Sequence, residues 1–385
     1  MGAVDFSDLI TFTRTTGGGR FNAQGVYEWL PANTPRIDYD PVTGEAKGLL
    51  IEEQRTNLLT HSSDFANDVW TKQNGGWSVV TEIDPRFGAV QRFTEDTATG
   101  SRVTGRLVTL TAGSAYTHTE RLKAAERASA RLQIFNASAT VVADFNLSTG
   151  TVSGVGGGTA SIKDLGGGWF DCSVTLTAAI TAPHTVRFYP LVDGTASYTG
   201  ENKVCFLNAG AQLEAGSFPT SYIPTTTAQV TRAADIASVN ELSPWYNPEQ
   251  GTLVADFELI PGRSVQGVIV SFGIGNALQT MIGTQSGSYP TTLQVGSYNV
   301  GDTNVPSAVF PGRNKAGLYY EAGTLRGAAN SILSAGATSK VPNSSTTRMY
   351  LGTFAGLNTR VLNGWLRSIH VYPRAMPDQL QALTA

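Results

Sequence analysis

The chain has 385 residues, 42 of them glycine, with 15% charged and 41% hydrophobic residues and a formal net charge of −3. That hydrophobic content supports packed cores and excludes wholesale disorder, and the near-neutral balance gives no basic field for nucleic acid. No apolar run reaches the ~18 residues that a membrane-spanning helix needs, so membrane insertion is not expected.

Met1–Ile10 carries Asp5 and Asp8 and lacks the basic and apolar regions of a secretory signal. Phe12–Asn57 is rich in Gly, Pro and Asp (TGGG, LPANTP, DYDPVTG), a composition for turns and extended arms rather than a core. Within it, Gly48-Leu49-Leu50-Ile51 reads as an arm strand, with Arg36, Glu52 (or Glu53) and Arg55 placed to fix the arm against a neighbouring surface. A Pro-rich extended segment cannot bury itself, and such arms commonly cross subunits, so a homotrimer is expected.

Further along, Val103–Leu110, Ala130–Phe135, Phe170–Leu176 and Thr185–Tyr189 are runs of β-branched and aromatic residues bounded by turn formers. Glu120–Ala130 has helix-forming composition, and a polar strand pair turning at Ala124–Glu126 fits it equally well. Ser217–Asp235, with Pro219, Pro224 and a Thr run, reads as an extended connector. Strand patterns resume at Thr252–Ile260, Gly267–Phe272, Gly317–Glu321, Met349–Gly352 and Gly364–Tyr372. Met376–Ala385 reads as a short helix with Pro377 in its first turn. The expected fold is therefore all-β: an N-terminal extended arm over 1–60, antiparallel jelly-roll or β-sandwich domains over 61–235 and 236–385, and a short C-terminal helix.

Chemistry is sparse. The four histidines stand singly, and neither a G-x-S-x-G elbow nor a phosphate-binding glycine loop occurs, so no catalytic residue and no metal-ligand set is assigned. Asp256 and Glu258 share one face of a strand and come nearest to a hydrolase's acid pair, although a structural role explains both. Hydrolysis would require two carboxylates facing one cleft, about 5–9.5 Å apart. No cofactor is expected; oxygen-rich loops such as Asp38–Asp40 permit calcium without specifying it. Cys172 and Cys205 read either as small buried hydrophobes or as a disulfide between adjacent strands. Trp70, Trp169 and Trp365 sit in alternating strand context and are expected in cores. Trp77, Tyr198, Trp245 and Tyr246 lie in loop-like, Gly- or Pro-flanked contexts and are the candidate glycan-facing rings.

Several segments resemble structural proteins of tailed-bacteriophage (or prophage) virions of the tail-fibre or head-fibre type. These are ITFTR at Ile10–Arg14, Pro35–Pro41 followed by GLLIEEQRTNLL at Gly48–Leu59, and AGAQLEAGSFPTSYIPTTTAQVTRAAD at Ala209–Asp235. The last of these resembles the end of a carbohydrate-binding-module-like jelly roll. NGWLRSIHVYPR at Asn363–Arg374, with the closing MPDQLQALTA, resembles the end of a concanavalin-like or laminin-G-like domain. The resemblance implies a non-enzymatic fibre or spike in the virion, assembled in the bacterial host cytoplasm without a signal peptide. Its implied partners are other virion proteins, its own copies and host cell-surface polysaccharide. A capsid or tail decoration (cementing) protein and a polysaccharide depolymerase are the alternatives.

Overall fold

The computed structural model describes residues 9–81, 83–262, 267–274, 277–284, 293–297, 301–305, 312–321, 324–336, 348–354 and 360–385. Among them the chain is built from antiparallel strands, with one helical turn at Leu380–Leu383. Among the described residues no helix is long and apolar enough to cross a membrane.

Period-2 patterning places the middle sandwich. Ser129–Asn136, Ala139–Asn146 and Ala182–Leu191 alternate buried and half-exposed residues along their length. They belong to a six-stranded sheet in the order Thr151–Gly156, Ala139–Asn146, Ser129–Asn136, Ala182–Leu191, Val103–Leu110, Thr71–Gln73. The facing sheet runs Thr159–Gly166, Trp169–Thr177, Ala115–Ala124, Val204–Ala215, Gln91–Glu95, Gly75–Val79. Leu132, Ile134, Val186 and Phe188 from one sheet meet Leu122, Val174, Phe206 and Leu213 from the other. The ambiguous Glu120–Ala130 stretch ends one strand and begins another, but these lie in opposite sheets, so the chain crosses the sandwich there instead of forming a hairpin. Cys172 and Cys205 are buried free thiols.

The second sandwich contains the N-terminal segment. Ile10–Thr13 pairs with Ile236–Val239 at the edge of one seven-stranded sheet. Ile37–Tyr39 and Ala46–Ile51 complete the opposite sheet beside Gly364–Tyr372, with Ile51 opposite Gly364. Phe12, Leu49 and Ile51 thereby enter the same core as Phe257, Leu318, Val270 and Leu351. The segment is extended, as its composition suggests, but it is not free: its apolar residues are buried in the chain's own core. That removes the ground on which a subunit-crossing arm, and hence a trimer, was expected. Close packing is strict here. Gly48 has φ +103°, and a Cβ at that position would lie 2.3 Å from the Leu366 carbonyl oxygen. Gly251–Leu259 is buried almost throughout. The C-terminal helical turn helps cover its sheet, where Leu380 packs with Tyr319 and Ala328.

Candidate functional site

Two features dominate the junction between the sandwiches: a buried ionic clasp and, beside it, a cleft. In the clasp Arg14 pairs with Asp235 at 3.1 Å, Arg36 with Glu52 at 2.7 Å and with Asp235, and Arg232 with Glu52 at 3.0 Å. Glu52 also accepts from the Ser221 amide at 2.8 Å and hydroxyl at 2.7 Å. Burial alone would raise the Glu52 carboxyl; Arg232, Arg36 and Ser221 outweigh it and hold it at about 2. Arg55 pairs with Glu53 at 2.6 Å and donates to the Ala215 carbonyl. Arg36, Glu52 and Arg55, expected at an assembly contact, are instead spent inside the chain. Each is almost inaccessible, because the N-terminal segment that carries them is itself a layer of the molecule.

The cleft encloses about 370 Å³. One wall is the outer face of a middle-sandwich sheet. Strand register sets Lys163, Asp171 and Arg121 in one cross-strand row and Ser161, Ser173 and Thr119 in the next. The other wall is the end of the C-terminal sheet, with Asp38, Lys47, Leu50, Glu258 and Trp365. The Gly18–Phe21/Tyr27–Leu30 hairpin and the connector at Pro219–Tyr222 line the rest. Arg121 locks the hairpin down. Its guanidinium forms a two-pronged pair with Asp171 at 2.8 and 3.0 Å and lies 4.8 Å from the Tyr27 ring centroid and 4.7 Å from that of Phe87.

On the opposite wall Trp365 donates its indole N–H to Asp38 at 2.8 Å, across 327 positions of sequence. The second Asp38 oxygen accepts from the Phe21 amide at 2.7 Å. Lys47 binds Glu258 at 2.7 Å and places its ammonium 3.6 Å from the Trp365 ring centroid. Burial draws the Lys47 ammonium below its ordinary value, Glu258 opposes the shift, and the nearby Lys163 charge adds to it. Rings, hydroxyls and fixed charges thus converge on one concave surface, the arrangement of a polar-ligand site.

The candidate rings fall elsewhere. Trp77 is only 8% exposed, wedged among Phe65, Phe93 and Phe188 with its indole N–H on the Thr104 hydroxyl at 2.8 Å. It is a core residue, because the Gly75-Gly76 pair lies within a strand and not in a loop. Tyr198 is half-buried and donates to Glu95 at 2.7 Å, with Arg102 4.2 Å and Arg127 5.4 Å from its ring centroid. Those two guanidiniums cover the ring, which anchors an ion-pair network instead of facing a ligand. Trp245 and Tyr246 pack partly buried against the C-terminal core, where Tyr246 stacks on Phe272 at 5.0 Å. None of the four lines the cleft. Trp365, expected in a core, is largely buried but forms part of the cleft floor.

No matching family model was found for the chain, and no curated protein matches it. Solved structures overlap it at low identity. The CBM40 of the Ruminococcus gnavus IT-sialidase bound to α2,3-sialyllactose is 18% identical with a TM-score of 0.30, covering 36% of this chain and 84% of its own. Domains LG4-5 of the mouse laminin α1 chain are 12% identical with a TM-score of 0.26, covering 78% of this chain and 96% of their own. The Trypanosoma rangeli sialidase is 8% identical with a TM-score of 0.30, covering 81% of this chain and 62% of its own.

The acidic candidates separate. Glu258 lines the cleft, whereas Asp256 opens on another depression, of about 340 Å³, with Arg313, Lys315 and His370. Arg313 holds Asp256 through both carboxylate oxygens. Among the described residues no group of three His, Cys, Asp or Glu is placed to hold a metal ion. The Asp38–Asp40 stretch is not a loop: Asp38 lies in the strand Ile37–Tyr39, and Asp40 just after it caps a turn by accepting from the Val42 and Thr43 amides, each at 2.9 Å.

Proposed function

We propose that the protein binds a glycan in the cleft between its two sandwiches, as a non-enzymatic attachment component of a bacteriophage particle. The observation that carries the binding is the cleft itself: Trp365 and Phe21, both largely buried, form an apolar floor, while Ser161, Thr220, Lys47 and Lys163 supply polar groups around it. Sugars present alternating C–H faces and hydroxyls, and a site of that composition matches both. The virion setting rests on the resemblance of Gly48–Leu59, Ala209–Asp235 and Asn363–Arg374 to phage structural proteins. In support of a non-enzymatic role, each of the four carboxylates lining the cleft is already engaged: Asp38 by Trp365 and Phe21, Glu52 by Arg36 and Arg232, Asp171 by Arg121 and Glu258 by Lys47.

The test is binding of labelled protein to bacterial cells before and after enzymatic removal of surface polysaccharide, alongside Ser161→Trp. Ser161 is an exposed cleft residue, so the added indole fills the cleft without entering a core. Saturable binding lost on polysaccharide removal and in Ser161→Trp is the expected result. Binding that survives Ser161→Trp moves the site elsewhere, and no binding leaves the decoration role in its place.

A further inference from the structure

We infer that the ligand of this cleft is anionic, a saccharide bearing a carboxylate or sulfate, and that Lys163 is the residue that reads that charge. The inference rests on the glycan-binding reading above. Its basis is the way charges on the cleft wall are used up. Lys163 lies directly opposite Asp171 in the strand register, the natural place for an ion pair. Arg121, opposite Asp171 on the other side, has taken both of its oxygens. The neighbouring Asp164 accepts from the Gly166 amide at 2.7 Å.

Lys163 is consequently the one lysine or arginine of the cleft wall with no hydrogen-bond or ion-pair partner among the described residues. Its ammonium stands 5.9 Å from the Phe21 ring centroid and 5.9 Å from that of Trp365. Trp365 therefore has two ammonium groups over its ring, and only that of Lys47 is neutralised, by Glu258. Lys163 is exposed, so beside a neutral sugar its charge stays in water and adds nothing to binding. An acidic group would complete the row that Arg121 leaves open, through a charge-assisted hydrogen bond.

The test uses the full chain and two polymers, hyaluronate and polygalacturonate, each with its carboxyl-reduced counterpart, measured by titration calorimetry. Lys163→Gln is compared with the parent; the side chain is exposed, so the melting temperature should not move. The expected result is that at least one acidic polymer binds more tightly than its reduced form. That preference should fall about three- to tenfold in Lys163→Gln and weaken with added salt. Equal binding of acidic and reduced forms, or a preference that persists in Lys163→Gln, overturns the inference. If reduced polymers bind and Ser161→Trp abolishes that binding, the glycan reading stands and only the anionic assignment falls. If no polymer binds in either form, the anionic assignment falls, and the cell-binding experiment decides the glycan reading.

Discussion

Replacing Glu52 by Gln should destabilise the whole molecule, because this one carboxylate joins three separate pieces of chain. It lies just after Ala46–Ile51 in the C-terminal sheet, pairs with Arg36 just before Ile37–Tyr39, and in the connector binds Ser221 and neutralises Arg232. Arg36 keeps Asp235 in the variant, but Arg232 loses the carboxylate it pairs with and remains a buried guanidinium facing carbonyls and hydroxyls. Two routes give the size of the effect. Holding a carboxyl at about 2 instead of 4.5 corresponds to about 3 kcal/mol of native-state stabilisation at neutral pH. Breaking a buried pair by removing one partner typically costs about 3–5 kcal/mol. With an unfolding entropy of ~2.1 cal/mol/K per residue, a loss of about 3 kcal/mol lowers the melting temperature by about 4 °C if the chain unfolds as one unit. Differential scanning calorimetry at pH 7 reads both the shift and the number of transitions. Adding Arg232→Met to the Glu52→Gln variant should recover at least half of the loss, since the stranded charge is then gone. A melting temperature within about 1 °C of the parent in Glu52→Gln would refute the clasp as a source of stability.

Two further outcomes follow from the same geometry. Glu52 and Glu95 are both held at about 2, Glu95 against its burial by Arg127, Tyr198 and the Glu201 amide. A carboxyl lowered in the folded state contributes stability that is complete above its unfolded value and lost as pH falls through the folded one. Acid unfolding followed by tryptophan fluorescence should therefore develop between about pH 4.5 and 2 and move upward in Glu52→Gln; the same midpoint in both proteins would contradict this. Separately, residues 236–385 expressed alone should fail to melt cooperatively. They lack the three strands from 10–51 that complete both sheets and bring Phe12, Leu49 and Ile51 into the core. Adding 10–57 as a second polypeptide should restore a cooperative transition, and a sharp transition without it would show that those strands are dispensable.

Much of the fold was legible in the sequence because strand formation is a local matter. Runs such as Val103–Leu110 and Gly364–Tyr372 alternate or concentrate β-branched and aromatic residues, and they are strands at those positions. Trp70 and Trp169 sit in the cores that their context suggested. The site was not legible in this way. Gly75-Gly76 before Trp77 looks like a loop until Gly75–Val79 pairs with Gln91–Glu95 and turns the indole inward. Trp365 has the pattern of a core residue, and it borders the cleft only because the hairpin at Gly18–Leu30 and the connector fold over the end of its sheet.

The sequence by itself determined the all-β sandwich class, many of the strands in both sandwiches and a short helix near the C-terminus, which the structure narrows to Leu380–Leu383. Tertiary structure decided where the N-terminal segment goes and which charges meet. Arg36 and Asp235 are separated by 199 positions, and Asp38 and Trp365 by 327. Side-chain periodicity specifies which face of a strand is buried, but not which distant strand will cover it. The choice falls to shape and charge complementarity between surfaces that exist only once both sandwiches have formed, and the cleft is what remains between them.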